Sequence, residues 1–591
     1  MSKTIRIGCA SGFYGDSQLA ARQLVDAGNI DYLVFDYLAE ITMAILAKAR
    51  SRDDSLGYAV DFVTVAMKDV LADCARKGIK VVANAGGVNV PACIAALEAL
   101  CQQQGLNLKI GGVYGDNLIG RDDLPWDGMT ETQTGEAMPD RPASVNAYLG
   151  ARPVADALAA GADVVVTGRV VDSAVMLGPL IHEFGWAEDQ YDELAQGSLC
   201  GHVIECGAQC TGGNYTDWHT VPDFSNISYP VAVVSVDGSF VIGIPEGSGG
   251  LATVGSVGEQ VLYEIGDPAN YLLPDVACDF TQVSLEQIGD NQVRVSGARG
   301  RAPGDKYKVC ATWRDGFQVK GCIMIGGPRA LDKARTAMEA WIKRVRDYYT
   351  ANELPDFREV DLEYFGAEHT YGPHATAQAQ ATREIVAKFG LHHDDPAALQ
   401  FAANEMVYLG TSGVPGFYGL GGGRIRPSGL MRVHSTLIEK SLVPVIVQVG
   451  DERIAEKAYK TAASEPTAKI RMEVSPPQTG SEQVEVTLER LAFARSGDKG
   501  NNANIGLVAR KPEYLPYIHE QVTAQAVEDY FAHLVEGEVE RFDLPGFNAF
   551  NFFMTEALGG GGTASVRTDC QGKSLAQQLL SLKLTVPATL L

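Results

Sequence analysis

Near the C-terminal end, Arg495, Ser496, Gly497, Asp498, Lys499, Gly500, Asn501 and Asn502 put a guanidinium, a hydroxyl, a carboxylate, an ammonium and two amides on one short turn between apolar runs. Gly, Asp, Asn and Ser are ordinary turn residues, so a solvated hairpin accounts for the composition without a ligand. A cation beside glycine N–H groups also suits a carboxylate or a phosphate, and Asp498 could orient Lys499 or a ligand hydroxyl. This second reading predicts that the turn packs on the rest of the chain or on a neighbouring subunit. Arg495, Ser496, Asp498, Lys499 and Asn501 would then complete a binding pocket.

A second constellation is "GHVIECGAQCTGGNYTDWHT", residues 201–220, with His202, Glu205, Cys206, Cys210, Asp217 and His219. These are zinc-ligand types, but the spacing matches no structural zinc pattern, and no metal is expected. Glu205 is the more informative residue. A carboxyl in an apolar pocket has its pKa raised and can exchange protons near neutral pH. Two further stretches could contribute. "FGAEHTYGPHA" places His369 and His374 on either side of Gly372-Pro373, which breaks any helix and leaves a loop. "GVPGFYGLGGGRIRPSG" combines close-approach glycines with Arg424 and Arg426, guanidinium groups suited to an anionic ligand.

The elements that must position these groups begin with Val/Ile runs alternating with amphipathic stretches, the pattern of a parallel sheet covered on both faces. Ligands of such sheets bind outside the carboxyl ends of the strands. Ser11 and Tyr14 follow the first strand, Asn84 follows "KVVA", Asp116 follows "LKIGGVYG", and Arg169 and Asp172 follow "DVVVTG". Asp172 and Asp116 join Glu205 as acid/base candidates. Neither a GxGxxG fingerprint nor a GxxxxGK[ST] loop occurs, so no nucleotide cofactor is expected. Residues 228–326 alternate with "DG", "GDN" and "RDG" hairpin signals and read as an antiparallel β insertion. The polar stretch 464–483 reads as a linker. It divides an α/β main domain, 1–463, from a small α+β domain, 484–591.

A net charge of -24 and a pI near 4.9 argue against nucleic acid or an anionic membrane as partner. The hydrophobic content of 46% provides a large core, yet no apolar stretch reaches the roughly 18 to 20 residues that span a bilayer. The eleven cysteines form no CxxC pair, and "MSKTIRIGCASG" opens on a strand rather than a signal-like apolar run. A reduced, cytoplasmic protein is expected.

Six motifs in order, "IGCASGFYGDS", "VVANAGGVN", "VTGRVVDSAV", "ECGAQCTGGNYTDW", "PGFYGLGGGR" and "ARSGDKGNNANIG", make the chain resemble the acyclic terpene utilization family, the AtuA-like proteins. The resemblance implies an α/β main domain followed by a ferredoxin-like C-terminal domain. It also implies a place in citronellol and geraniol degradation through branched acyl-CoA thioesters. The reaction that fits best is hydration or dehydration of a branched acyl-CoA or its free acid by a homo-oligomer, because such chemistry needs an acid/base group and oxyanion donors but no organic cofactor. Arg169, Arg424, Arg495 and Lys499 are the candidate anion holders. The alternative is a non-catalytic acyl-CoA-binding or scaffold protein beside a pathway carboxylase or dehydrogenase. A nucleophilic hydrolase is disfavoured because no GxSxG elbow occurs.

Overall fold

The computed structural model describes residues 3–421, 425–459, 465–477, 482–562 and 564–591. The first half of the chain alternates β1 (Thr4–Cys9), α1 (Ala20–Ala27), β2 (Tyr32–Phe35), α2 (Glu40–Arg50), α3 (Lys68–Lys77), β3 (Lys80–Ala83), α4 (Val90–Gln104) and β4 (Ile110–Tyr114). It continues with β5 (Ser144–Ala147), α5 (Arg152–Ala159), β6 (Val164–Thr167), α6 (Ala174–Phe184), α7 (Tyr191–Ile204), β7 (Val231–Ser235), β8 (Phe240–Gly243) and α8 (Val254–Val261). The pairs β1–β2, β2–β3, β3–β6 and β6–β4 are parallel. Their strands are buried on both faces, as the unbroken "YLVF" and "VVVT" runs require. Helices α1 to α4 cover one face through Leu24, Leu46, Leu71 and Leu97, while α5 to α7 cover the other through Val154, Leu177 and Leu199. β6 returns between β3 and β4, so the strand order reverses there.

Antiparallel strands extend this sheet on both sides. Among the described residues it has eleven strands, ending in Ser284–Gly289 on one edge and Glu452–Lys457 on the other. Part of the antiparallel segment 228–326 continues this sheet, and the rest builds other sheets. β7 pairs with the open edge of β1, with Ile7 opposite Ala232, and β8 and two further strands follow it outward. The alternation in sequence reports half-buried strands but carries no mark of the edge they join. Strand Lys306–Gly326 then leaves the main sheet and forms the spine of a second, antiparallel sheet. That sheet includes β5, Glu384–His393 and Ser428–Glu439.

The C-terminal part builds a four-stranded antiparallel sheet from Ala492–Lys499, Asn502–Ala509, Ala549–Met554 and Val539–Leu544, in that order. One face packs Ile505, Leu507, Phe550 and Phe552 under the helices Leu515–Gln521, Ala524–Tyr530 and Leu575–Leu579. On the other side Val508, Leu544, Phe547 and Ala549 join the core of the main body. The stretch 464–483 lies partly outside the described residues. All eleven cysteines are free, and no helix among the described residues is long and apolar enough to cross a membrane.

Candidate functional site

The polar groups at the carboxyl ends of the parallel strands meet around Asp36, the residue directly after β2. Asn84, after β3, donates from its side-chain amide to Asp36 Oδ1 and accepts from the Tyr37 N–H at 2.7 Å. Ser11, after β1, donates to the Asp36 carbonyl at 3.0 Å. Ser11 and Asn84 thus hold the β2 turn in place. Burial first, then the nearby carboxyls of Asp172 and Glu205, push Asp36 well above the usual carboxylate range. Tyr14 sits half-buried beside Tyr37, ring centroids 6.5 Å apart.

After β6, Arg169 is buried under the second sheet. Its Nη1 donates to the Leu38 carbonyl at 2.7 Å and to Asp172 Oδ1 at 2.7 Å, and its guanidinium lies 4.0 Å from the centre of the Tyr148 ring. The Tyr148 hydroxyl donates to Glu40 at 2.6 Å, and Lys308 Nζ reaches the same carboxylate at 3.2 Å. Against the cost of burial, Lys308 and Arg169 keep Glu40 ionised, far below the usual range. Asp116 lies underneath: its Oδ2 accepts the Arg169 N–H at 2.8 Å and the Asn146 amide at 2.7 Å. Burial pushes it up to about 6. Asp116 is therefore placed to hold the Arg169 backbone, with its Oδ2 turned to protein donors.

Helix α7 brings the next group. It ends at Glu205, one turn after His202, because Gly207 adopts a left-handed φ of 58°. The loop after β1 lies directly on this end. A Cβ on Gly12 would sit 2.8 Å from the Cys206 backbone, so only glycine fits there. Glu205 Oε1 stands 3.3 Å from His202 Nδ1, and Glu205 Oε2 is buried without a hydrogen-bond partner among the described residues. Burial, reinforced by Asp172 and opposed by Lys499, pushes Glu205 well above the usual range.

The C-terminal turn closes this cluster. Strand Ala492–Lys499 alternates, so Arg495, Gly497 and Lys499 face the main body while Ser496 and Asp498 face away. Gly497 permits the approach: a Cβ there would be 2.6 Å from the Glu264 side chain. Lys499 is exposed and has no ion pair among the described residues, yet it is close enough to oppose the charging of His202 and to favour ionisation of Glu205 and Glu264. Lys573 bonds Glu264 at 2.9 Å, Asp498 at 3.3 Å and the Tyr263 hydroxyl. Burial and the Glu264 charge push Asp498 up to about 6, against the pull of Lys573. Glu264 holds a left-handed φ of 55°, a strained conformation for a residue with a side chain, and such strain clusters at functional sites.

Three of the turn residues expected to line the pocket are bonded to protein groups. Arg495 is buried, and its donors are spent on Glu259 at 2.9 Å, Gln209, Gln260 and the Gly213 carbonyl. It joins the two parts of the chain. Ser496 donates to the Gly572 carbonyl at 2.6 Å and accepts from the Ala576 N–H at 2.9 Å, which anchors the last helix. Asn501 accepts from the Gly560 N–H at 2.6 Å and supports that loop. Arg424 lies outside the described residues. Conversely, Asp36 escapes the strand-end search because "DYLVFDYL" reads as one apolar run and hides the end of β2. Glu264 and Lys573 carry no sequence signal, since each is one charged residue in a polar turn.

An open depression of about 590 Å³ lies elsewhere, on the uncovered antiparallel wing lined by Arg6, Val233, Val241 and Ile288. It gathers no comparable set of interacting ionisable groups, and the chemistry is better assigned to the strand ends.

Residues 5–449 match the model of the acyclic terpene utilisation family protein AtuA, and residues 486–585 match the AtuA ferredoxin-like domain. No curated protein and no solved structure matches the chain. The first match spans most of the chain and includes every strand end of the cluster, while the second contains the turn that closes it. The chain belongs to the acyclic terpene utilisation family.

Proposed function

We propose that this protein is an enzyme of acyclic terpene breakdown that acts on a branched acyl-CoA thioester or the corresponding acid by proton transfer, most simply adding or removing water. The observation that carries this reading is the meeting of Asp36, Asp172 and Glu205 with Arg169 and Lys499 at the strand ends, where burial and Asp172 shift Glu205 toward its protonated form. In the hydration direction, one carboxylate takes a proton from water as its oxygen bonds to the β-carbon. A protonated carboxyl then gives a proton to the α-carbon. Asp172, set by its ion pair with Arg169, suits the first role, and Glu205 suits the second. Charge that builds on the thioester oxygen between these steps is stabilised by cations in a partly desolvated site, and Lys499 is a cation there with no ion pair among the described residues. Proton transfer of this kind asks for no organic cofactor, only for groups whose pKa values the surroundings have moved apart. Ser11, Asn84 and Asp116 act as supports, while Tyr14 and Asp498 border the cluster.

Incubating the purified chain with branched α,β-unsaturated acyl-CoA thioesters, followed by mass spectrometry, should show a mass gain of one water. Glu205→Gln should lower turnover by about 10²- to 10⁴-fold, the usual contribution of a general acid or base. Tight binding of these thioesters without any product would instead favour a carrier or scaffold and overturn the enzymatic reading.

A further inference from the structure

His202 has no part in the scheme above, yet it touches its central carboxyl. The ring is buried against Tyr271 and Phe280, with centroids 5.6 and 6.3 Å away. Its Nε2 stands 3.2 Å from the Val261 carbonyl at the end of α8. A carbonyl oxygen can only accept, so Nε2 must carry the hydrogen. In a neutral ring Nδ1 is then a bare lone pair. That nitrogen lies 3.3 Å from Glu205 Oε1, and it is buried without a hydrogen-bond partner among the described residues. Beside an ionised Glu205 the buried Nδ1 would be left without a donor, whereas a proton on Glu205 Oε1 supplies one.

We propose that His202 and Glu205 form a dyad sharing one proton, in which Glu205 Oε1–H donates to His202 Nδ1. His202 is then a positioning residue that holds the Glu205 proton. The step it allows is balanced. As Glu205 gives the Oε1 proton to the α-carbon of the substrate, an O–H bond breaks and a C–H bond forms. Glu205 is left as the carboxylate until a proton from solvent restores it, and His202 stays neutral throughout.

The groups facing the pair favour the neutral form at rest. Burial and Lys499 lower His202 to about 4, while burial and Asp172 raise Glu205. Arg169 and Lys499 pull Glu205 the other way, and Asp172 and Glu264 do the same for His202, without reversing either direction.

This inference rests on the reading of Glu205 as the acid/base group, but its test is made on the resting protein and needs no turnover. In the full chain labelled with ¹⁵N-histidine, the His202 resonances are assigned by their loss in His202→Asn. If that variant does not fold, they are assigned by their displacement in Glu205→Gln. One ring nitrogen should show a protonated-type shift and the other an unprotonated-type shift from about pH 5 to about pH 8, where an unperturbed histidine would titrate. Nε2 should be the protonated one. Infrared spectra over the same range should contain a carboxylic C=O band that is lost in Glu205→Gln. An imidazolium signature for His202, a proton on Nδ1, or no carboxylic band sensitive to Glu205→Gln would overturn the dyad. The dyad signature in a protein that hydrates no thioester would leave it standing and remove the hydration scheme instead.

Discussion

At the scale of single residues, neighbours on one strand carry opposite expectations. Lys499→Ala removes an exposed cation with no ion pair among the described residues, so stability should change by no more than about 0.5 kcal/mol. Affinity for an acyl-CoA should fall by about tenfold, on the order of 1.4 kcal/mol. Arg495→Ala leaves Glu259 buried and unpaired, which typically costs about 3 to 5 kcal/mol. Thermal unfolding beside ligand titration separates the two. If Lys499→Ala lost stability and affinity together, the turn would be structural. Asp498 makes a pH prediction. Its folded-state pKa of about 6 lies above the ordinary aspartate value of about 3.9. Folding therefore favours the protonated form, so its contribution is most favourable at low pH and declines as pH rises from about 4 to about 6. Asp498→Asn should raise the melting temperature at pH 8 and not at pH 4, and a gain equal at both would show that the carboxyl's charge is not the cause.

At the scale of elements, two glycines set how closely the C-terminal sheet meets the main body. Gly497 abuts Glu264, and a Cβ on Gly506 would stand 2.3 Å from the Leu262 side chain. Asn504 and Asn551 bond the same segment, donating to the carbonyls of Leu262 at 2.7 Å and Gly266 at 2.7 Å. Gly506→Val should therefore overpack the contact at a cost of about 1 to 3 kcal/mol. It should also weaken ligand binding, although residue 506 touches no group of the cluster, because the strand that carries Lys499 would be lifted. Unchanged binding in a folded Gly506→Val protein would detach the sheet contact from the site. The same logic explains why the turn was legible as chemistry while its roles were not. Composition marks 495–502 as unusual, but packing decides that 495 is a buried anchor while 499, on the same face, has no ion pair among the described residues, and a tight turn does not reveal which of its strand positions the main body buries.

At the scale of the whole molecule, the C-terminal sheet shares a core with the main body through Val508, Leu544, Phe547 and Ala549, and the buried Arg495–Glu259 pair crosses the same boundary. Urea unfolding should therefore show a single transition, and a proteolytic nick within 465–477 should leave the pieces together in size-exclusion chromatography. Residues 1–463 expressed alone should be poorly soluble and be rescued by co-expression of residues 484–591. Two well-separated transitions, or a stable and soluble 1–463 fragment, would mean that the contact surface is dispensable.

The order of chain segments determined much of this protein by itself. Short unbroken Val/Ile runs alternating with helices indicate parallel strands buried on both faces, and that pairing gathers Ser11, Asn84, Asp116, Arg169 and Asp172 at one edge. These are consequences of local periodicity, which a sequence displays. The tertiary structure alone decided which of those groups face one another. It set Asp116 beneath Arg169, carried Glu205 and His202 to the strand ends on a helix from the other face, and brought Lys499 and Lys573 in from beyond the last strand of the main sheet. Burial and proximity between distant segments shift the pKa values of a site, and neither is written in any stretch of sequence short enough to read as a motif.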